Sequence, residues 1–565
     1  MPLTLAWVGL GLATMGVVIL VQRRRNEARQ LTAIRRQWGL PRDRDHDMTA
    51  IAAYSRARTK ADGGAVDDRT WGDLNMDAVF AVLDRTESVV GQQVLYARLR
   101  RSPLGDPLDA FEALVTRMSG ETAARERAQM ALARLRDTAA YDLWWLTEPG
   151  ALNTERWHFL FPMLGLSMAG VIALLLFWPP AILLAAAGFV ASLMARSSVA
   201  PQLRVVAGAF RQVGPLLAAA EMLAVLDGPD VRPITGPLTA DGPRLSRLRR
   251  FAGWAGRDAT GAAAGDLSAL MVEYLNVLFC LDANALVFGG RELRARAAEL
   301  LRVLIAVGDV DAAVSIASYR AGTTGWTRPT FRPAGEPAVM ADIRHPLLPD
   351  AVPNSTTLCP PHGVILTGSN MSGKSTFLRT VGVTTILAQT IHTCLASRYE
   401  APAFVVRSCI GRADDPASGK SYYVVEVESV LSLVQAAGTS VPHLLIFDEL
   451  FRGTNVIERI AAGEAVLTAL LGPRADGQPV PHAVLVATHD QELVDLLQGL
   501  YAPYHFTDTV AAEGLAFDYQ LRPGPSTTRN AIALLAARGA PPDLVAHARA
   551  LAMALDRARR APGLS

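Results

Sequence analysis

The segment from Gly368 to Ser375 has the residue types and spacing of a phosphate-binding loop. It matches the pattern GxxxxGK[ST] and follows an apolar run, Val364–Thr367, that is typical of a buried strand. Its glycines permit a tight turn whose backbone N–H groups surround phosphate oxygens; Lys374 adds positive charge, and the Ser375 hydroxyl is a Mg²⁺ ligand. The predicted nucleotide-binding residues are Gly368, Ser369, Asn370, Met371, Ser372, Gly373, Lys374, Ser375 and Thr376.

Two adjacent acids provide the second part of a possible phosphate-hydrolysing site. Asp448 and Glu449 follow the apolar run Leu444–Phe447, which is typical of a buried strand. Asp448 is expected to hold the metal's water shell, and Glu449 to orient or deprotonate the attacking water. His489 follows a third apolar run, 484–488, and is a candidate contact for the γ-phosphate. Since a lone histidine is often structural, spacing alone leaves that role open.

A third segment, 414–426, has turn-forming residues and then Gly-Lys-Ser before a helical run. Its Gly419 and Ser421 would lie at a helix N-terminus, where backbone N–H groups bind anions. If the first loop already encloses the phosphates, this segment reaches them only when another subunit presents it. A plain junction between a loop and a helix explains the same spacing, so both interpretations stay open at this point.

Composition excludes several classes of protein. The chain has 565 residues, which as a prior suggests three or four domains. Half of the residues are hydrophobic and 19% are charged, which excludes disorder, collagen-like repeats and small disulfide scaffolds. The formal net charge is +2, so no global basic field favours nucleic acid. The four cysteines form no CxxC pair, which disfavours a zinc ribbon and indicates reduced thiols.

Two apolar blocks predict attachment to a membrane, and the first lies at the N-terminus. Residues 3–21 are uncharged and long enough to cross a hydrocarbon core of about 30 Å, and the arginines at 23–25 then place the N-terminus outside. A cleaved signal peptide is the alternative, although its basic residues would precede the apolar run. We therefore expect a retained anchor in the inner or plasma membrane, with the α/β part of the chain in the cytoplasm.

The second block, residues 159–195, is uncharged and is divided at 178–180 by Trp-Pro-Pro, which favours a turn. It predicts a hairpin of two short spans, 159–177 and 181–195, with both ends in the cytosol. The alternative is a buried core hairpin of a soluble domain, because the second span is short for a membrane crossing. Together the two blocks predict a multi-pass protein that contacts the lipid bilayer.

The remaining sequence divides into a helical region and an α/β region. Apolar residues recur at helical spacing after Met76, and the stretch from Pro201 to Tyr319 is again typical of helices. From Trp326, short β-branched runs are separated by glycine and proline. Strands that alternate with helices are typical of a doubly wound α/β domain.

The ordered motifs resemble those of MutS-family ATPases. The resemblance rests on TGSNMSGKSTFLRTVG (367–382), DDPASGKSYYVVEV (414–427), LLIFDELFRGTN (444–455) and VATHDQEL (486–493). The Asn-Met pair in the phosphate loop and the Arg-Gly-Thr after the acids separate this set from general P-loop proteins. The stretch VFAVLDRTESVVGQQVLYARLRRSPLGDP (79–107) is similar to the start of the family's lever domain.

The resemblance implies an α/β P-loop NTPase domain of the ABC/MutS type at the C-terminus, preceded by an all-α lever domain with transmembrane helices. It implies ATP and Mg²⁺ as cofactors, and a homodimer in which Gly419 and Ser421 complete the partner's site. It also places Asn370 near the attacking water. The predicted segments are a transmembrane anchor (1–25), a cytosolic linker (26–75), a first lever segment (76–150), the transmembrane hairpin (157–196), a second lever segment (197–325), the ATPase domain (326–525) and a helical dimerisation segment (526–565).

The chain also departs from the family pattern. We expect no counterpart of the N-terminal mismatch-reading domain, and residues 352–354 supply no aromatic side chain to stack on adenine. By family analogy we expect the lever arms to enclose DNA that is mismatched, branched or damaged. The candidate phosphate contacts are Arg244, Arg247, Arg249 and Arg250, followed by Arg291, Arg294 and Arg296. A solvated helix face or a patch on anionic lipid explains these arginines equally well. A rival function is a membrane-tethered, ATP-driven switch that acts on a protein partner without DNA.

Overall fold

Two compact units make up the chain. The first comprises residues 1–61, 83–98 and 107–324, and the second comprises residues 62–82, 99–106 and 325–565. Each unit is therefore assembled from segments that are distant in sequence. The computed structural model describes residues 2–59, 66–101, 108–150, 160–255, 274–275, 277–369, 371–410, 422–438, 440–472, 480–511, 514–526 and 531–560.

Helices dominate the first unit, and the second unit contains both helices and strands. The described α-helices are α1 (Pro2–Gln37), α2 (Met48–Thr59), α3 (Asp68–Asp73), α4 (Met76–Leu83), α5 (Val89–Arg100), α6 (Leu108–Gly120), α7 (Thr122–Leu132), α8 (Leu160–Leu175), α9 (Ile182–Leu223), α10 (Arg232–Ala240), α11 (Ser246–Ala255), α12 (Leu281–Ala295), α13 (Ala297–Ala321), α14 (Lys374–Ile391), α15 (Tyr422–Ala437), α16 (Val456–Leu471), α17 (Gln491–Leu496), α18 (Ala531–Ala537) and α19 (Pro542–Arg560). Helices α3, most of α4 and α14–α19 belong to the second unit.

The core of the first unit centres on α13, which is rich in alanine, leucine and valine and is buried along most of its length. Two buried ion pairs cross this core. Arg98 on α5 lies 3.0 Å from Asp309, and Arg320 lies 2.6 Å from Glu112 on α6. Because an unpaired charge is costly in a core, these pairs favour one register of α5 and α6 against α13.

A six-stranded sheet forms the centre of the second unit. Its strand order is β10-β9-β4-β8-β7-β6; β4, β6, β7, β8 and β9 are parallel, and β10 is antiparallel to β9. The strands are β4 (Gly363–Thr367), β6 (Val405–Cys409), β7 (His443–Asp448), β8 (Ala483–Ala487), β9 (Tyr501–Ala511) and β10 (Gly514–Pro523). The carboxyl ends of β4, β7 and β8 meet at one edge, which is where ligands bind to sheets of this kind.

A second, four-stranded sheet has the order β1-β5-β2-β3. Its strands are β1 (Thr330–Phe331), β2 (Ala338–Ile343), β3 (Asn354–Leu358) and β5 (Arg398–Ala401). The apolar runs predict β4, β7 and β8 to within one residue at each end, and a further apolar run at 404–406 predicts β6 to within three residues, whereas this sheet and the β9–β10 hairpin carry no motif. The predicted α/β fold at the C-terminus and the helical region before it are confirmed.

The predicted membrane hairpin forms two helices, α8 and α9, joined by a short turn. The second helix does not end near residue 195 as predicted, but continues without interruption to Leu223. Within the described residues, one helical segment has the length and hydropathy to cross a membrane, Gly208–Leu226, and 56% of it is buried, as in a core helix. The two hairpin segments, Leu160–Leu175 and Pro179–Ala195, are shorter apolar helices. The predicted membrane spans therefore stay predictions.

Candidate functional site

The phosphate loop connects the buried strand β4 to helix α14. Gly368 and Gly373 have φ values of +141° and +109°, which residues with a side chain rarely adopt. A Cβ at Gly368 would also lie 2.8 Å from the carbonyl oxygen of Phe506. These two glycines therefore permit the tight turn that the sequence predicts. Asn370 lies outside the described residues.

Lys374 begins α14, and its side chain turns back across the loop. The residue is 5% exposed, and its Nζ donates hydrogen bonds to the carbonyl oxygens of Gly368 at 2.8 Å and Ser369 at 2.9 Å. The hydroxyls of Ser369 and Ser372 are buried and have no hydrogen-bond partner among the described residues. Since buried polar groups are normally paired, the loop offers a buried cation and two unpaired hydroxyls to an anion.

A hydroxyl and a carboxylate meet directly beside this loop. The Ser375 Oγ donates a hydrogen bond of 2.5 Å to Oδ2 of Asp448, the last residue of β7. A hydroxyl oxygen and a carboxylate oxygen beside a phosphate site are the kinds of ligand that Mg²⁺ takes at nucleotide sites. The two residues that the sequence separately assigns to the metal ion therefore lie in contact.

Glu449 lies between two basic side chains. Its Oε1 is 2.9 Å from Nε2 of His489, and its Oε2 is 3.0 Å from the guanidinium of Arg452. The hydrogen bond with His489 lowers the pKa of Glu449, although partial burial opposes it; Arg452 and Lys374 add to the lowering. Glu449 is therefore ionised at neutral pH and able to accept a proton.

His489 follows strand β8 and is held close to the phosphate loop. Its Nε2 lies 3.3 Å from Nζ of Lys374, in addition to its contact with Glu449. The next residue, Asp490, forms a two-bond ion pair with Arg459 on α16 at 2.6 and 2.8 Å. This ion pair fixes the turn that carries His489. His489 therefore lies beside Lys374 and Glu449, and its role at the site stays a prediction.

A cavity of about 590 Å³ opens above the loop and is lined in part by the predicted residues Met371 and Gly373 to Thr376. Its further lining includes Leu348, Pro349, Val352, Phe506 and Tyr519, together with Glu449 at one side. The cavity therefore has a charged end at the phosphate loop and a largely apolar end beside it. A ligand with a polyphosphate and a flat ring system matches that division.

Tyr519 supplies the aromatic ring that residues 352–354 lack. It lies on β10 within a bulge between Phe517 and Leu521, and its φ of +55° turns the side chain out of the regular strand pattern. Asn354 holds this bulge, because its side-chain amide donates to the Tyr519 carbonyl at 2.9 Å and accepts from the Leu521 N–H at 2.7 Å. The sequence analysis missed this ring because it lies more than 140 residues beyond the loop, on a strand without a motif.

His345 is a second residue of the cavity to which the sequence assigns no role. It is 6% exposed, and its Nε2 has no hydrogen-bond partner in the part of the chain that the structure describes. Burial, with a smaller contribution from Arg379, lowers the pKa of His345 to about 4. The ring is therefore neutral, and it offers an unpaired nitrogen to a ligand in the cavity.

Helix α3 packs against the end of strand β6. The Asp73 carboxylate accepts hydrogen bonds from the Ser408 hydroxyl at 2.8 Å and from the Ile410 N–H at 2.7 Å. Its backbone carbonyl accepts a hydrogen bond from Arg379 on α14 at 2.8 Å. Residues 62–82, which the sequence assigns to the linker and the lever, thus pack within the second unit and hold the strand that precedes segment 411–421.

The remaining predicted residues lie in the first unit or outside the described residues. Gly419 and Ser421 lie outside the described residues. The candidate DNA contacts lie in the first unit on or near α11, where Arg244 is 3.6 Å from Asp241 and Arg249 is 2.7 Å from Glu221. Arg247 and Arg250 are exposed on α11.

Comparisons with known proteins relate the second unit to one family. Residues 364–556 match the family model for MutS domain V. The DNA mismatch repair protein MutS of Thermus aquaticus is 35% identical over 273 residues, which is 47% of this chain and 32% of that protein. DNA mismatch repair protein MutS 2 of Halobacterium salinarum is 32% identical over 274 residues, or 46% of this chain and 30% of that protein. The matched region thus spans about a third of these relatives.

Proposed function

We propose that this chain binds and hydrolyses ATP with Mg²⁺ at the cavity between β4, β7 and β8. The observation that carries the proposal is the convergence of Lys374, the Ser375–Asp448 pair and ionised Glu449 on one cavity. The match of residues 364–556 to MutS domain V, an ATPase-type α/β domain, supports it independently.

Each residue has a distinct role in the proposed reaction. The loop N–H groups and Lys374 bind the phosphates, while Ser375 and Asp448 hold the metal ion, which neutralises charge on the transferred phosphoryl group. Glu449 accepts a proton from the attacking water. His489, between Lys374 and Glu449, orients the Glu449 carboxylate by its hydrogen bond at 2.9 Å. The ring of Tyr519 stacks on the base.

The Lys374→Ala variant tests the binding site. It removes the buried cation from the loop, so we expect loss of ATP binding and of turnover. Arg398→Ala is the matched control, because Arg398 is an exposed cation of the same unit that pairs with Glu400 outside the cavity. Unchanged ATP affinity in Lys374→Ala would exclude this loop as the phosphate site.

The chain is proposed to act as a homodimer whose sites are composite. The support is the resemblance of segment 414–427, because Ser421 follows the family's motif for the residue that completes the partner's site. Mixing Lys374→Ala chains with Ser421→Ala chains tests this arrangement. Mixed dimers retain one site with both residues intact, so we expect partial recovery of activity. Full activity in each single variant would contradict a composite site.

DNA is proposed to be the macromolecule on which this ATPase acts. The relatives named above are DNA mismatch repair proteins, and Arg247 and Arg250 are exposed on α11. A protein partner is the second candidate, supported by the formal net charge of only +2. ATP turnover with duplex, mismatched and branched DNA at two salt concentrations separates the two. Salt-sensitive stimulation by one DNA form supports DNA, whereas turnover indifferent to every DNA supports a protein partner.

The chain is also proposed to be attached to the inner or plasma membrane by its N-terminal helix and by the α8–α9 hairpin, with the second unit in the cytoplasm. Helix α1 continues through the apolar block, and Val17, Val18 and Leu20 are at least half exposed. Fractionation of cells after an alkaline wash tests the attachment. Recovery of the chain in the soluble fraction would contradict it.

A further inference from the structure

The helical hairpin α8–α9 exposes apolar side chains along both helices. Leu166 is 74% exposed on α8, Leu183 is 75% exposed on α9, and Phe177 is 86% exposed in the turn between them. No residue from 159 to 195 is charged. An uncharged surface of this length is costly in water, so it requires an apolar environment.

The N–H groups in the turn of the hairpin are paired within the hairpin itself. From residue 176 to 182, each N–H group donates to a carbonyl of the turn or of α8, and the prolines at 179 and 180 have no N–H group. The bonds run from Leu176 to Ala173 (3.2 Å), from Phe177 and Trp178 to Leu174 (3.0 and 2.8 Å), from Ala181 to Trp178 (3.0 Å) and from Ile182 to Pro179. A turn whose N–H groups are paired internally does not need water to satisfy them, which favours its placement inside a bilayer.

The base of the hairpin contacts Phe279 and Cys280 of the first unit. A Cβ at Gly165 would lie 2.8 Å from the Phe279 carbonyl, which also accepts a hydrogen bond from the Asn284 amide at 3.0 Å. The Cys280 Sγ lies 3.9 Å from the Ser192 carbonyl on α9. Residues 279 and 280 therefore lie beside α8 near residue 165 and beside α9 near residue 192.

Beyond these contacts the hairpin is short. From residue 166 to the turn at 177 there are about 12 residues, or roughly 18 Å at the helical rise of 1.5 Å per residue. Helix α12 begins at this base and then runs away from the turn beside α9, since a Cβ at Gly289 would meet the ring of Phe210. A crossing that places Trp178 at the far headgroups requires about 30 Å.

From these observations we infer that the α8–α9 hairpin enters the bilayer from the cytoplasmic side and turns within the hydrocarbon, without crossing to the other face. This inference rests on the proposed membrane attachment and replaces two short spans with one re-entrant hairpin. The acyl chains of lipid then cover the apolar surface of the hairpin. Because α9 continues from the hairpin into the core of the first unit, where Val213, Leu216 and Leu223 are buried, one rigid helix joins the lipid to that core.

Site-specific dyes on the full chain test the inference. In a Cys359→Ser background, which removes the exposed thiol, single cysteines are introduced as Phe177→Cys at the turn and Ser197→Cys near the base. The Cys359→Ser chain without an added cysteine shows how much dye the buried cysteines take up. The labelled chains are reconstituted in vesicles of phosphatidylethanolamine and phosphatidylglycerol that carry nitroxides either at the headgroup or in the middle of the acyl chain.

We expect the dye at 177 to be quenched more by mid-chain than by headgroup nitroxide. In the chain without dye, the cysteine at 177 should not react with water-soluble thiol reagents added on either face. The dye at 197 should show the reverse order of quenching. Reactivity of position 177 from the face opposite position 197 would overturn the inference while leaving membrane attachment intact. Failure of the unlabelled chain to float with vesicles would instead contradict the attachment itself. Reaction of position 177 on the same face as position 197 in vesicle-bound chain would show that the turn lies in water outside the bilayer, and would also overturn the inference.

Discussion

Replacing Tyr519 with alanine removes the aromatic ring at the apolar end of the nucleotide cavity. The ring is 45% exposed, so it is available to a base, and the Asn354 side chain holds the bulge that positions it. Both tyrosine and alanine carry a Cβ, so the strain of the φ at +55° is present before and after the substitution. The change therefore isolates the contribution of the ring.

The expected loss follows from the geometry of that ring. Stacking of a base on an aromatic side chain is worth about 1–3 kcal/mol by alanine substitution. The ring already has neighbours, because a Cβ at Gly373 would lie 3.3 Å from its Cδ1 and its centroid lies 5.9 Å from that of Phe517. We therefore expect the lower part of that range, about 1–2 kcal/mol, or a rise in Kd for ATP of about 5- to 30-fold.

Equilibrium titration with a fluorescent ATP analogue measures this change, and competition with inorganic tripolyphosphate provides the matched ligand control. Tyr519→Phe keeps the ring and should bind ATP like the parent chain. Tripolyphosphate should bind both the parent chain and Tyr519→Ala equally, because it contacts only the loop. An unchanged Kd for ATP in Tyr519→Ala, or an equal loss for tripolyphosphate, would refute the assignment of the ring to the base.

Two further predictions concern stability. Asp73→Ala leaves the buried Ile410 N–H and the Ser408 hydroxyl without their acceptor, so the free energy of unfolding in urea should fall by about 1–3 kcal/mol, and by less in the control Ser408→Ala; equal values would contradict the role of Asp73. Burial lowers the pKa of His443 to about 4, against about 6.5 in an unfolded chain, so this histidine favours the folded state fully above about pH 6.5 and progressively less as the pH falls towards 4. The parent chain should lose stability over this window and His443→Phe should lose less; the same pH dependence in both would contradict the assignment to His443.

The chemical centre of the site is predictable from sequence because its residues lie in local motifs. The phosphate loop, Asp448 and Glu449 each follow an apolar strand directly, and parallel strands bring their carboxyl ends to one edge. The role of His489 needed the structure, since only the distances to Lys374 and Glu449 separate a site residue from a structural one.

Other features depend on contacts between distant segments, which periodicity does not report. Tyr519 reaches the cavity through a bulge held by Asn354, 165 residues away in sequence. Asp73 packs on β6 although its segment is polar and weakly periodic, because its partners are backbone and hydroxyl groups. The helix α9 passes both residue 195 and Pro201, so neither the change in hydrophobicity nor the proline marks its end, and composition alone misplaces the boundary of the hairpin.

The most direct test of the central claim measures ATP binding and ATP turnover together in Glu449→Gln. Glutamine keeps the size of the side chain and its hydrogen bonding to His489, but it does not accept a proton. The account predicts that this variant binds ATP with Mg²⁺ as the parent chain does, while turnover falls by about 10²- to 10⁴-fold, the usual contribution of a general base. Turnover at the parent rate with unchanged binding would contradict the assignment of Glu449, and with it the proposed hydrolytic site.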